Sequence, residues 1–156
     1  MERDDYLSNL REEDQAIASQ LYDSLINLGY EVQPVGSVLE GDQNYDDIDL
    51  LATHSFLVDP LHNLYLESKE EFPFSRANEY PSELISEFKI KDWENQERRR
   101  MVSFGKKLEH LLGLEDSEIK HLQYDDYSQF YVEKEVDCRL RFEVDDTKLD
   151  ISITQE

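Results

Sequence analysis

The sequence predicts an α+β fold in which a short mixed β-sheet carries helices on one face. Three patterns support this class: helically spaced apolar residues near the N-terminus, an acidic stretch enclosed by apolar residues near position 50, and strict apolar-polar alternation at the C-terminus. The length of 156 residues is typical of one domain. We therefore expect a single domain over residues 1–156, with a mainly helical segment at about 60–125.

The first expected element is a helix over residues 10–28. Gly29 follows directly, where a left-handed residue often ends a helix. Acidic residues crowd the first turn, where they are favourable for the helix dipole. The run Tyr30–Val35 then predicts a strand. The apolar positions that define the helix are Leu10, Ile17, Leu21, Leu25 and Leu28.

The pair Gly36-Ser37 and the acidic stretch after it form the most informative part of the chain. After nine intervening residues the sequence continues with Asp47, Ile48, Asp49 and two leucines. Side chains two apart in a strand point to the same side, so Asp47 and Asp49 are expected to share divalent metal while the apolar residues enter the core. Magnesium prefers oxygen ligands and is commonly held by one or two carboxylates together with substrate phosphates.

The middle of the chain is less regular. The acidic strand is expected to end before Asp59-Pro60, and a short helix is indicated after it. Two more helices are expected, one starting near Ser82 and one over residues 93–112, closed by Gly113. We interpret the basic residues of the second as a solvated helix face that balances nearby glutamates, with phosphate or acidic-partner contact as the alternative. These residues are Arg98, Arg99, Arg100, Lys106 and Lys107.

The C-terminal residues predict an amphipathic β-hairpin. Apolar and polar residues alternate over 136–144 and again over 149–154, and residues 145–148 form the expected turn. With Val144 paired to Leu149 across this turn, Glu143 would lie opposite Asp150 and Arg141 would lie diagonally nearby.

The order of strand, Gly-Ser, polar loop and Asp-apolar-Asp resembles the nucleotidyltransferase fold of the DNA polymerase beta superfamily. The resemblance covers roughly residues 30–53. It implies that Gly36 and Ser37 hold a nucleoside triphosphate and that Asp47 and Asp49 bind two magnesium ions. It also implies transfer of a nucleoside monophosphate, in the first instance AMP from ATP, to a hydroxyl of a small molecule or protein. A partner subunit or homodimer would then complete the cleft.

The same resemblance implies a third acid on a neighbouring strand. Asp150 is the candidate, because apolar residues flank it in the pattern of that family, and Asp137 is the alternative. The competing interpretation of Asp150 is a surface ion pair with Arg141, which would have little energetic weight. Three carboxylates without a cation would repel one another, so we expect a metal-free site to have raised affinity for protons.

Charge and composition argue against several functions. The formal charge of -21 at pH 7 opposes extended contact with nucleic acid or with an anionic membrane. No apolar run approaches the roughly 18 residues of a membrane span, and a cytoplasmic location is expected. The single cysteine, Cys138, is interpreted as a small buried side chain.

Two alternatives to an active nucleotidyltransferase stay open. The first is a non-catalytic acidic protein that occupies a basic groove on a partner, as nucleic-acid mimics and toxin-neutralising or inhibitor proteins do. The second is a degenerate nucleotidyltransferase fold that binds nucleotide without catalysis, because Glu40 stands close to the Gly-Ser pair, where many small members have a basic residue.

Overall fold

The fold is taken from a computed structural model that describes residues 3–36, 38, 44–71, 85–114, 117–125, 129–131 and 134–156. Within these ranges the chain forms four helices and seven strands. In chain order they are α1 (Arg3–Asn9), α2 (Glu12–Asn27), β1 (Glu31–Val35), β2 (Ile48–His54), α3 (Pro60–Glu71), α4 (Ile85–Leu111), β3 (Lys120–Asp125), β4 (Gln129–Tyr131), β5 (Lys134–Val136), β6 (Cys138–Val144) and β7 (Thr147–Gln155).

Five of the strands form a mixed sheet in the order β1-β2-β7-β6-β3. The central strands β2 and β7 are parallel, and the other neighbouring pairs are antiparallel. Strands β4 and β5 form a separate two-stranded sheet. The predicted α+β class with a mixed sheet is therefore confirmed. Proline is tolerated at a sheet edge because it lacks an N–H for a ladder, and Pro34 lies in the edge strand β1.

Alternation along the strands gives the sheet two different faces. One face joins all four helices in a large apolar core that includes Leu50 of β2, Leu140 of β6 and Ile151 of β7. Cys138 is buried in the same core, as predicted. The other face, which we call the polar face, carries the intervening side chains of these strands, such as Asp49 and Asp150. A small apolar cluster of Val35, Leu51 and Val136 lies apart from the main core.

The boundary between α2 and β1 follows the sequence prediction. Gly29 has φ 102°, a left-handed conformation that is easy for glycine. Its N–H donates to the Ile26 carbonyl at 2.9 Å, and the Tyr30 N–H donates to the Leu25 carbonyl at 3.1 Å. These bonds satisfy carbonyls at the helix end and turn the chain into the strand. The helix itself starts at Glu12 rather than residue 10, after the separate helix α1.

The predicted register of the C-terminal hairpin is wrong by two residues. Only Asp145 and Asp146 form the turn, with φ values of 49° and 69°, so the tight turn replaces the expected four-residue turn. Val144 consequently pairs with Thr147, and Arg141 lies directly opposite Asp150. A shift of two residues keeps every side chain on its face, so Asp150 stays on the polar face.

The region between β2 and the hairpin also differs from prediction. Instead of two helices, one continuous helix of 27 residues, α4, spans residues 85–111. Neither proline nor glycine interrupts it before Gly105, so nothing in the backbone forces a break. The expected N-cap at Ser82 lies outside the described residues. The segment also contains β3, which the sequence pattern did not predict. No helix among the described residues is both long and apolar enough for a membrane span.

A buried carboxylate joins three separate parts of the chain. Asp14, in the first turn of α2, is 3 % exposed. It accepts hydrogen bonds from the Tyr45 hydroxyl and, at 2.7 Å, from the Thr147 hydroxyl at the start of β7. Arg11 contributes a third bond through Nε at 3.3 Å. The carboxylate therefore ties α2 to the residues just before β2 and to the hairpin turn.

Replacing Asp14 by alanine is expected to lower the free energy of unfolding by at least about 2 kcal/mol, because two buried hydroxyls would lose a charged acceptor. Urea unfolding followed by far-ultraviolet circular dichroism measures this change. Glu13→Ala is the matched control, since Glu13 is exposed in the same turn, and it should cost no more than about 0.5 kcal/mol. Equal losses in both variants would show that the network adds nothing to stability.

Candidate metal centre

Three carboxylates converge at one end of the polar face. Asp47, Asp49 and Asp150 each present an oxygen, and these oxygens lie within 4.8 Å of one another. We call these residues the acid cluster. Asp49 and Asp150 are neighbours because β2 and β7 pair in parallel register at this position, and Asp47 lies in the bend that enters β2. The structure thus brings together the three acids that were selected from the sequence.

Asp137, the alternative third acid, is exposed between β5 and β6 and is not part of the acid cluster. Asp150 is instead 2 % exposed. The burial of Asp150 follows from its position on a central strand, whereas Asp137 lies at a bend where the chain changes from one sheet to the other.

The interpretation of Asp150 as a surface ion pair with Arg141 is wrong in both its partner and its location. Arg139 binds Asp150 through two bonds, from Nε to Oδ1 at 2.8 Å and from Nη2 to Oδ2. Arg141 donates to Asp125 at 3.3 Å instead. Paired planar groups of this kind fix orientation as well as charge, so Arg139 holds the buried carboxylate in one position.

Gly36 lies directly against the acid cluster. It follows β1 with φ 87°, and Val35 pairs with Asp49 in the sheet. A Cβ atom placed at Gly36 would overlap Asp49 Oδ2. Glycine is therefore required here for both its backbone conformation and its lack of a side chain. The next residue, Ser37, lies outside the described residues, so its expected contact with phosphate stays a prediction.

The electrostatics of the acid cluster favour a bound proton or cation. Burial, followed by the charges of Asp150 and Asp47, raises the pKa of the Asp49 carboxyl from 3.8 to about 7, although Arg139 opposes the shift. The raised pKa agrees with the expected repulsion among the acids. The sequence predicted this repulsion but did not indicate Arg139, whose positive charge offsets part of the rise in the pKa of Asp49.

The donor set fits a hard divalent cation. Oxygen ligands from carboxylates are the ones that magnesium takes, and all three members of the acid cluster offer such an oxygen within a shared space. Asp47 and Asp49 would hold the cation most directly, since both are only partly buried. Asp150 has its two oxygens engaged by Arg139, so it would join as a third, less accessible ligand or act on a substrate proton.

The basic residues of α4 are not part of this centre. Lys107 forms ion pairs with Glu67 and Glu71 of α3, and Arg100 is paired with Glu97 at 3.6 Å. The grooves that the other basic residues line along α4 contain no member of the acid cluster. The interpretation as a solvated helix face fits Arg98, Arg99 and Lys106, which are exposed, but it is wrong for Arg100, which is 3 % exposed.

Comparison with known proteins adds no family to this description. No protein-family model matches the chain, and no curated protein sequence matches it significantly.

Proposed function

We propose that the protein is a magnesium-dependent nucleotidyltransferase that transfers a nucleoside monophosphate, AMP from ATP in the first instance, to a hydroxyl group. The observation that carries this proposal is the convergence of the acid cluster beside Gly36. Acids about one hundred residues apart meet at a tight backbone bend, and this bend and these acids are the same residues that resemble the polymerase beta superfamily.

Each residue has a defined part in the proposed reaction. When bound, magnesium would neutralise phosphate charge and polarise the α-phosphate. Asp47 and Asp49 would supply its oxygen ligands, and Asp49 lies in direct contact with the bend at Gly36. Asp150, oriented by Arg139, accepts the proton of the attacking hydroxyl. The hydroxyl oxygen bonds to the α-phosphorus as pyrophosphate leaves, so positioning and charge neutralisation supply most of the catalysis.

Calorimetry tests the first half of the proposal. ATP is expected to bind the protein only with magnesium present, and Asp47→Ala and Asp49→Ala should each weaken that binding by at least about a hundredfold. Asp46→Ala is the matched control, because Asp46 is exposed beside Asp47 and is not in the acid cluster. If no nucleoside triphosphate gives any heat, the acidic binding protein becomes the better explanation.

A transfer assay tests the second half. The protein is incubated with ATP labelled on the α-phosphate together with lysate fractions, and label is expected to appear on an acceptor. Asp49→Asn should reduce the transfer to background, because an amide is a much poorer magnesium ligand than a carboxylate. Magnesium-dependent ATP binding without transfer to any fraction would identify a binding-only relative, and transfer that survives in Asp49→Asn would refute the assignment.

A further inference from the structure

A second feature of the polar face adjoins the acid cluster. A groove of about 410 Å³ runs from Asp47 across β7 and β6 to β3. Its polar lining consists of Asp47, His121, Gln123, Arg141, Glu143 and Lys148. This volume lies within the range of about 300–1,000 Å³ that small-molecule sites occupy. The lining contains two cations, Arg141 and Lys148, and two carboxylates, Asp47 and Glu143; we call it the cationic groove after the two cations.

The two cationic side chains of the groove, Arg141 and Lys148, have few carboxylate partners within the described ranges. Arg141 makes one long hydrogen bond to Asp125, its side chain is 41 % exposed, and its buried Nε has no hydrogen-bond partner in the described part of the chain. Lys148 is exposed opposite Glu143 in the sheet, and within the described ranges no carboxylate lies at ion-pair distance from it. The exposed part of the Arg141 guanidinium is therefore open to an added acceptor.

The backbone at the outer end of the groove is strained. His121 has φ 54°, where the pairing of β3 with β6 shifts register between Lys120 and Gln123. A non-glycine residue in this region costs about 1–3 kcal/mol, and such residues cluster at ligand sites. The irregularity leaves the imidazole 79 % exposed and 3.8 Å from Glu143. The distorted strand β3 thus exposes the His121 imidazole to solvent at the edge of the groove.

The position of the groove relative to Gly36 indicates which substrate it takes. In the strand order, the acid cluster on β2 and β7 lies between Gly36, at the end of β1, and the groove, on β6 and β3. Phosphoryl transfer places the attacking and leaving oxygens on opposite sides of the phosphorus. If triphosphate lies beside Gly36, the attacking hydroxyl therefore comes from the side of the groove.

We propose that the cationic groove binds the acceptor, and that the acceptor is a small hydroxyl compound with an anionic group, either phosphate or carboxylate, held by Arg141 and Lys148. This inference rests on the proposed function for the role of the ligand as acceptor. The recognition chemistry is independent of it, since guanidinium and ammonium groups bind both anions through charge-assisted hydrogen bonds.

Amide chemical-shift titration of the full chain tests the groove with three probes. Glycerol 3-phosphate and glycerate are the anionic probes, and glycerol is the neutral one. At least one anion is expected to give saturable shifts at His121, Gln123 and Lys148, and the stronger of the two identifies the anionic group. Glycerol should give none. Shifts from glycerol equal to those from both anions, or no saturable shift from either anion, would overturn the inference.

Paired variants show whether the named cations are responsible. Arg141→Gln with Lys148→Gln should weaken anion binding at least about tenfold, because each lost charged bond is worth about that factor. Arg98→Gln with Lys106→Gln removes the same charges from α4 and should leave binding unchanged. Lys148→Gln alone changes an exposed side chain, so this variant should fold normally, and the same spectra show whether it does. Weaker anion binding by this variant would therefore not be due to misfolding. Equal binding by all variants would refute the assignment.

Two binding measurements separate failure of the proposed function from failure of the acceptor assignment. Manganese relaxation of water protons reports cation binding at the acid cluster, and the calorimetry above reports magnesium-dependent ATP binding. Loss of both in the wild-type protein, with anion binding retained, would reject the transferase and the acceptor role together. Retained ATP binding that the Arg141 and Lys148 changes weaken as strongly as anion binding would place the triphosphate in the groove and overturn the acceptor assignment alone.

Discussion

Arg139→Met is expected to destabilise the protein by about 3 kcal/mol at neutral pH, toward the lower end of the range for breaking a buried ion pair. The change leaves the Asp150 carboxylate, 2 % exposed, without the two bonds that Arg139 donates. The arginine side chain is 23 % exposed, so water relieves part of the cost. Urea unfolding at pH 7 with EDTA measures the difference.

Two further variants separate the pair from the loss of arginine packing. Arg139→Met with Asp150→Asn should recover most of the lost stability, because the remaining buried group is neutral. Arg141→Met removes the neighbouring arginine, whose partner Asp125 is partly exposed, and should cost about 1 kcal/mol or less. If Arg139→Met and Arg141→Met cost the same, the buried pair has no special structural weight.

Asp49→Asn is expected to stabilise the metal-free protein as the pH rises. The pKa of Asp49 in the folded protein is about 7, against 3.8 as its ordinary value. The folded state therefore binds a proton more tightly than the unfolded state, and this contribution to stability is present below about pH 4 and is lost as the pH rises through 7. The full shift would correspond to roughly 4.5 kcal/mol, since each pKa unit is worth about 1.4 kcal/mol, and solvent screening of the partly exposed carboxyl makes the effect on stability smaller.

The comparison is made by urea unfolding in EDTA at pH 5.5 and pH 8. The variant should already be more stable than wild type at pH 5.5, where about half of this contribution has been lost, and by about twice that margin at pH 8. Asp46→Asn, an exposed neighbour, should show no such dependence. With saturating magnesium the order should reverse, because only the wild type gains stability from binding. A pH-independent difference would mean that Asp49 does not titrate in this range.

Local patterns in the sequence were sufficient for the elements that define the site. Helix α2 with Gly29, the acidic strand β2 and the C-terminal hairpin all followed from periodicity and turn chemistry. The acid cluster could not be predicted from local patterns alone, because alternation shows which face of the sheet Asp49 and Asp150 occupy but not which strands are neighbours. The family resemblance supplied that step by assigning the third acid to a strand beside β2.

The features that were missed depend on register or on distant contacts. The Asp145-Asp146 pair is an unusual tight turn, since glycine is the common residue with positive φ. The register error followed from this turn, and in the wrong register Arg139 does not lie beside Asp150. Asp14 is one of the acidic residues in the first turn of α2, and its buried hydrogen bonds could not be predicted because its partners, Tyr45 and Thr147, lie 31 and 133 positions away. Helix α4 was predicted as two helices because a gap in the spacing of its apolar residues resembles the end of a helix.

The parallel pairing of β2 with β7 has a consequence for folding. Asp49 and Asp150 belong to strands that are about one hundred residues apart in the chain, and contacts of such separation form slowly because a long loop must close first. Partly folded chains that still lack β7 in the middle of the sheet hold two of the three acids at most. Cation affinity that needs all three acids would consequently report that β7 has paired with β2.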